Sequence, residues 1–169
     1  PLSSLDAKLR SDLRIELKSI QADSGATMLY VTHDQTEAMT MATHVGVLND
    51  GKLVQFGSPR EIYEDPVSIY AASRLGQPRI NVLPSDVFGG APDTATHIGL
   101  RPEQIMQGEG EESFVQRVEH LGDQTRLHLS FKSHELITVT DAYTDLKEGD
   151  IIQIRPENPF FFDATGARI

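Results

Sequence analysis

The sequence predicts an α/β layer followed by an all-β domain. Residues 5–20 carry leucine or isoleucine at intervals of four, four, four and three, the spacing of one apolar helix face. Residues 27–31 are apolar on both faces, which predicts a short buried strand, and a second helix follows. From residue 77 onwards, short runs of valine, isoleucine, leucine and phenylalanine alternate with turn residues, which is typical of a small barrel or sandwich.

The composition argues against several classes of protein, including disulfide-bonded and nucleic-acid-binding proteins. The 169 residues are enough for one medium domain or two small ones. No apolar run approaches the roughly 20 residues of a membrane-spanning helix. Without cysteine, the chain has no disulfide and no thiolate metal site. The net charge is −10, whereas nucleic-acid-binding domains usually carry a basic face, so we expect no nucleic acid among the partners.

Cap residues mark the ends of the two helices predicted first. Ser3 or Ser4 can cap the start of the first helix, and Gly25 stands where its C-terminal cap belongs. Asp34 can cap the second helix, and Glu37, three residues later, completes a capping-box-like pair.

A β-hairpin is predicted over residues 45–56, because Asn49-Asp50-Gly51 separates two apolar runs. The stretch from Gly46 to Leu53 also matches most of the phosphate-binding pattern G-x-x-x-x-G-K-[ST]. Its last position is leucine, so no hydroxyl is available for Mg²⁺, and the chain continues as a strand instead of a helix. We therefore interpret this stretch as a hairpin and not as a nucleotide site.

Two short helices and a series of strands are predicted after the hairpin. The helices cover residues 60–64 and 67–75, and the stretch 108–112 is interpreted as a solvated loop. The predicted strands are residues 113–118, 125–131, 135–140, 150–155 and 160–163. The sequence changes here from helical patterns to short strands and turn residues, and this change predicts a domain boundary between residues 76 and 77.

His33 is the candidate catalytic residue. It follows the predicted strand directly, and ligands of α/β sheets bind at the C-terminal ends of strands. A histidine there can meet an anionic ligand; the alternative is a histidine satisfied by local backbone groups. No metal site is predicted, because the remaining candidates share no ligand-like spacing: His97, His120, His128 and His134.

Four stretches carry a family resemblance: Pro1-Leu-Ser-Ser-Leu-Asp6, Leu29-Tyr-Val-Thr-His33-Asp-Gln-Thr-Glu-Ala-Met39, Glu61-Ile-Tyr-Glu-Asp-Pro66 and Ile98-Gly-Leu-Arg-Pro-Glu103. Together they resemble ATP-binding subunits of ABC transporters of the carbohydrate-import type, such as the maltose and glycerol-3-phosphate systems. The first resembles the D-loop of that family, and the second resembles its switch-histidine loop. The last resembles the signature of its C-terminal OB-like (TOBE) domain.

The resemblance implies roles for individual residues. His33 would contact the γ-phosphate of ATP and orient the attacking water or the catalytic glutamate. Ser3, Leu5 and Asp6 of the D-loop would lie at the interface of two ATP-binding subunits. ATP and Mg²⁺ would be required, and a second ATP-binding subunit and transmembrane permease subunits would be the partners. The location would be the cytoplasmic face of the inner membrane.

The sequence lacks the Walker A, Q-loop, signature and Walker B motifs of that family. The resemblance therefore implies the C-terminal part of a P-loop-type ABC ATPase domain over residues 1–76, followed by an OB-like β-barrel domain over residues 77–169. We expect such a fragment to bind no cofactor and to be inactive alone. The alternative is a free-standing regulatory or ligand-binding β-barrel module.

Overall fold

The structure, a computed structural model, describes residues 6–169 and divides into two compact units, the first ending at Asp65 and the second beginning at Pro66. The described chain is mostly β-structure with few helices. Among residues 6–169, no helix combines the length and the hydropathy that crossing a membrane requires.

The elements of the first unit are α1 (Ala7–Ser24), α2 (Gln35–Met41), β1 (Val45–Asn49), β2 (Lys52–Gly57) and α3 (Pro59–Glu64). Helix α1 begins later than predicted, and Asp6 takes the capping role assigned to Ser3 or Ser4. The Asp6 carboxylate accepts a hydrogen bond from the Leu9 N–H at 2.9 Å. Gly25 ends the helix as predicted, with the left-handed φ of 62° that glycine tolerates best.

The predicted hairpin forms between β1 and β2, which pair antiparallel. Asp50 and Gly51 both have positive φ, as a two-residue type I′ turn requires. Lys52 begins β2, so the stretch that resembles a phosphate-binding loop is a hairpin. Helix α3 then starts with a capping box, in which the Ser58 and Glu61 side chains each accept the other residue's backbone N–H, at 3.2 and 2.7 Å.

The predicted strand over residues 27–31 is wrong. This segment has no regular secondary structure, and the side chains of Leu29 and Val31 are 94% and 78% exposed. A strand needs a neighbour that completes its hydrogen-bond ladder and covers its apolar side chains. No strand within residues 6–169 pairs with this segment, so the segment is not part of any described sheet.

The elements of the second unit are α4 (Ile69–Ala72), β3 (Asn81–Pro84), β4 (His97–Leu100), a 3₁₀ turn (Pro102–Gln104), β5 (Ile105–His120), β6 (Gln124–Phe131), β7 (His134–Asp141), β8 (Ile151–Pro156) and β9 (Phe160–Phe162). They form antiparallel sheets of order β3-β4-β9 and β7-β6-β5-β8. The five predicted strands overlap β5 to β9, with bounds that agree to within one residue for β6 to β9, whereas β3 and β4 were not predicted. Helix α4 is much shorter than the predicted helix over residues 67–75.

The predicted loop over residues 108–112 is a bulge inside β5. Gln107 and Glu111 both pair with Ile154, so the three residues between them project from the sheet. Gly110 has a φ of 112°, and a Cβ atom there would lie 2.2 Å from the Ile154 carbonyl oxygen. Glycine is therefore required at this position, and the strand continues on both sides of the bulge.

The larger of two hydrophobic clusters in the second unit joins its two sheets. Its buried side chains are Leu83, Val87, Ile98, Leu100, Ile105, Val115, Leu127, Leu129, Phe131, Leu136 and Ile154. The Asn81 amide connects the sheets: its Nδ2 donates to the carbonyls of Leu100 and Ile137, and its Oδ1 accepts the Ile137 N–H at 2.7 Å. This β-rich unit fits the expected OB-like domain.

Arg101 is one reason why residues 66–76 belong to the second compact unit. Its guanidinium group is buried, and Nη1 donates to the carbonyl oxygens of Ala72 and Leu75 at 2.8 and 2.6 Å. Ala72 is the last residue of helix α4 and Leu75 lies three residues further on, so Arg101 ties residues 66–76 to the β-structure. The backbone N–H of Ile69 adds a hydrogen bond to the Gly166 carbonyl.

Replacing Arg101 by methionine tests this anchor. Arg101→Met leaves the carbonyls of Ala72 and Leu75 without this donor, and we expect a loss of about 2–4 kcal/mol in the free energy of unfolding. Chemical denaturation measures it. The control is Arg117→Met on β5, whose side chain is 58% exposed and pairs with Glu119, and which should cost less than about 1 kcal/mol. Equal losses for the two variants would contradict the anchoring role.

Candidate functional site

His33 lies on the short turn that leads into helix α2. Its side chain is exposed, and no residue in the range 6–169 forms a hydrogen bond or an ion pair with its imidazole ring. The residues on either side of it are held firmly. The site is therefore a fixed turn, Thr32-His33-Asp34, that presents a free imidazole.

Asp34 fixes the end of the turn as the N-cap of α2. Its Oδ1 accepts the backbone N–H groups of Thr36 and Glu37 at 2.8 and 3.1 Å, as the sequence predicted for a cap. The backbone N–H of Asp34 donates to the Thr32 hydroxyl at 2.9 Å. The turn is thus hydrogen-bonded internally as well as to the helix.

Helix α1 supplies the positive charges that face the turn. Arg14 Nη2 lies 3.1 Å from Asp34 Oδ2 and 3.6 Å from Glu37 Oε1, and Arg10 Nη1 lies 3.9 Å from Asp34 Oδ2. Lys18, one turn further along α1, donates to the Thr40 carbonyl near the end of α2 at 3.0 Å. Both ends of α2 are therefore held by basic side chains of α1.

These contacts set the ionisation of Asp34. Partial burial alone would raise the pKa of its carboxyl group. The N–H donors of Glu37 and Thr36, and then the guanidinium groups of Arg14 and Arg10, outweigh this effect and lower the pKa below its ordinary value. Asp34 is therefore an anion at neutral pH, and its charge is part of the cap.

Glu37 is the buried carboxylate of the site, with 4% of its surface exposed. Its Oε2 accepts the Thr32 hydroxyl at 2.5 Å, and Arg14 neutralises its charge. Burial, together with the negative charge of Glu37, raises the pKa of the Tyr30 hydroxyl. The predicted capping-box pair of Glu37 with Asp34 is wrong, because the Glu37 carboxylate binds Thr32 instead of the Asp34 N–H.

The other predicted site residues are those of the proposed D-loop, and of these the structure describes Asp6. Asp6 lies at the N-terminus of α1 and caps that helix, while Ser3 and Leu5 lie outside the described residues. No three His, Asp or Glu side chains in the described part of the chain are grouped closely enough to hold a metal ion.

Arg14 and Thr32 belong to the site but were not predicted. The sequence carries a partial signal for the first, since Arg10 and Arg14 are four residues apart and therefore lie on one face of α1. Their acidic partner Asp34 is 20 residues beyond Arg14, and helical periodicity cannot reveal a pairing at that distance.

The arrangement suits the recognition of an anion that arrives from outside the described residues. A neutral imidazole has one N–H donor and a protonated imidazole has two, so it can donate to an anionic oxygen in either state. The held residues on each side restrict the backbone of His33, and this preorganisation favours a defined contact.

Several curated proteins are similar to this chain over most of its length. No family model matches the chain. The chain is 38% identical, over 90% of its length, to the sn-glycerol-3-phosphate import ATP-binding protein UgpC 2 of Rhizobium johnstonii. It is 40% identical, over 89% of its length, to the xylose/arabinose import ATP-binding protein XacK of Haloferax volcanii. It is 34% identical, over its whole length, to the lactose transport ATP-binding protein LacK of Rhizobium radiobacter.

The chain spans about half the length of these curated relatives, 48%, 47% and 56% respectively. The similarity extends over both compact units, because it covers 89% or more of the chain. Neither unit alone accounts for it.

The lowered pKa of Asp34 predicts a pH-dependent contribution to the stability of the first unit. An unfolded aspartate titrates near 3.9, so the contribution is complete above about pH 5 and is lost as the pH falls through the lower folded pKa. Asp34→Asn keeps a capping oxygen but removes the charge, and should cost about 1 kcal/mol at pH 7. The cost should shrink toward zero near pH 2, measured by thermal unfolding followed through the helical circular dichroism signal.

The control for this experiment is Asp12→Asn, which changes an exposed carboxylate on α1. It should leave the stability within about 0.5 kcal/mol at both pH values. A cost for Asp34→Asn that stays constant between the two pH values would contradict the assignment.

Proposed function

The chain is homologous over most of its length to ATP-binding subunits of sugar and polyol importers of the ABC class, and we propose that it supplies the switch-histidine part of such an ATPase. The observation that carries the proposal is the exposed imidazole of His33 on a turn that neighbouring contacts hold in place. The identities of 34–40% support the class of activity. The solute named for each relative belongs to that relative, and its class, sugar or polyol, is a proposal for this protein.

The chemistry is hydrolysis of ATP by attack of water on the γ-phosphate. Protein groups accelerate this reaction mainly by positioning and by stabilising the charge on the transferred phosphoryl group. In the proposal, the His33 imidazole donates a hydrogen bond to a γ-phosphate oxygen and helps to orient the attacking water. An imidazole suits this task because it is a directional donor at neutral pH.

The phosphate-binding loop is not among these 169 residues, since the one similar stretch is the β1–β2 hairpin. In the proposal, the nucleotide cradle and the catalytic glutamate come from polypeptide outside this sequence. Mg²⁺ would neutralise phosphate charge there, and no residue of this chain is assigned to it. The residues that carry the activity here are therefore His33 and the turn around it.

The two parts of the chain have different proposed roles. Residues 1–76 contribute the C-terminal part of the P-loop ATPase domain, with Ser3, Leu5 and Asp6 as a D-loop facing a second ATP-binding subunit. Residues 77–169 form the OB-like TOBE domain. The partners in the proposal are that second subunit and transmembrane permease subunits at the cytoplasmic face of the membrane. A free-standing β-module is less well supported, because the similarity covers both units.

One prediction of this proposal concerns nucleotide binding. The isolated 169-residue chain should show no saturable micromolar binding of ATP with Mg²⁺ in calorimetry, because it has no backbone cradle for the phosphates. Lys52→Ala is the informative variant, since Lys52 is the lysine of the hairpin that resembles a phosphate-binding loop. Micromolar binding that Lys52→Ala abolishes would show that the hairpin had been interpreted wrongly.

Another prediction of this proposal concerns the catalytic role of His33. In the assembled ATPase, His33→Ala should lower the hydrolysis rate by about 10²-fold, the scale for losing one preorganised donor, while ATP binding changes little. Steady-state hydrolysis and nucleotide binding should be measured on the same preparation. His44→Ala is the control, because His44 stacks on Phe56 in the first unit and has no proposed chemical role. A normal rate for His33→Ala would remove the catalytic assignment.

A further inference from the structure

The buried carboxylate of Glu37 requires an explanation. Charged side chains are rarely buried unless a partner neutralises them, and Glu37 lies on the first turn of a helix of only seven residues. Its neighbours are Arg14 Nη2 at 3.6 Å and the Thr32 hydroxyl at 2.5 Å. The carboxylate therefore faces inward toward the turn and not outward toward solvent.

A continuous series of contacts leads from α1 to the residue before His33 and the residue after it. Arg14 pairs with Glu37 and Asp34, and Glu37 accepts the hydroxyl proton of Thr32. The Thr32 oxygen then accepts the backbone N–H of Asp34. A hydroxyl group that donates to a carboxylate becomes a stronger acceptor, so the two hydrogen bonds of Thr32 reinforce each other.

His33 is the one residue of the turn whose side chain takes no part in these described contacts. Thr32 and Asp34 close a small hydrogen-bonded loop around its backbone. The direction of its imidazole therefore depends on groups that never touch it. Loss of the Glu37 acceptor frees the Thr32 hydroxyl to rotate, and this loosens the bond to the Asp34 N–H.

We propose that Glu37 and Arg14 are positioning residues for His33, with Thr32 as the link between them and the turn. The proposal rests on the proposed function of His33, but its structural part can be tested without any nucleotide. Glu37 supplies the acceptor that fixes the Thr32 hydroxyl, and Arg14 places a guanidinium group opposite the buried Glu37 carboxylate.

Two substitutions separate the roles of charge and of hydrogen bonding. Glu37→Gln retains an oxygen that can accept the Thr32 hydroxyl but loses the charge opposite Arg14. Glu37→Ala loses both. The matched control is Glu64→Gln on α3, which removes the charge of an exposed carboxylate that pairs with Arg60 at 2.8 Å. Helical circular dichroism shows whether each variant retains its fold.

The first readout is amide hydrogen exchange of Asp34 in the 169-residue chain, followed by NMR. Glu37→Ala should speed exchange of this amide by about five- to ten-fold, because its acceptor Thr32 is no longer held. Glu37→Gln should speed it less, and Glu64→Gln should leave it unchanged. Exchange of the Leu129 amide in β6 reports on the β-unit and should stay constant in all three variants. An unchanged Asp34 amide in folded Glu37→Ala would overturn the proposal.

The second readout is ATP hydrolysis by the assembled ATPase. Glu37→Ala should lower kcat by about 10²-fold, the scale for a small misplacement of a catalytic group, with the KM for ATP nearly unchanged. Glu37→Gln should restore part of the rate, which a general loss of folded protein would not predict. A matching rise in KM, or equal effects of the two substitutions, would contradict positioning.

The two proposals fail in distinguishable ways. If Glu37→Ala speeds the Asp34 amide but His33→Ala hydrolyses ATP normally, the contact series is real and the catalytic role of His33 is wrong. If His33→Ala is impaired but Glu37→Ala leaves both the amide and kcat unchanged, the catalytic role stands and the positioning role is wrong.

Discussion

The ion pairs of Arg14 are the interaction on which the candidate site depends. One guanidinium group lies against two carboxylates, one capping helix α2 and the other buried beneath the turn. Without a cation at this place, two negative charges would stand close together beside the start of a helix, and one of them would be buried without a partner. The local order of residues 30–37 therefore comes from helix α1, and the turn is stable because a distant part of the sequence completes it.

The second unit uses a guanidinium group differently. Arg101 is buried, and it donates to the backbone carbonyls of Ala72 and Leu75 instead of pairing with carboxylates. Asn81 acts in a similar way between the two sheets, where its amide continues the hydrogen-bond ladder of β7. Such contacts meet the requirement that buried polar groups be paired, and they allow two small sheets to share one core. Helix α4 packs in the smaller hydrophobic cluster, where Ala72 joins Ile80, Phe160 and Phe162.

The sequence predicted those parts of the structure that form through contacts between neighbouring residues. The Asp50-Gly51 turn, the Gly25 cap and the Asp34 cap each need only a few neighbouring residues, and all three form. The strand expected over residues 27–31 failed because a strand is defined by its partner, which apolar composition cannot supply. Glu37 was assigned to the cap from its spacing alone, but the proximity of Arg14 and Thr32 gave it other contacts. The Asp34 cap beside His33 could be predicted, whereas the absence of a strand before His33 and the groups that hold its turn could not.

The exposed segment that follows α1 has a consequence for the behaviour of the protein in concentrated solution. Leu29 and Val31 lie open to water on a stretch that pairs with no strand within residues 6–169. Exposed apolar side chains of this kind favour association between copies of a chain. The net charge of −10 opposes close approach of copies through repulsion, and added salt weakens that repulsion. Colloidal stability of this chain is thus a balance between one apolar segment and its overall charge, and ionic strength moves that balance.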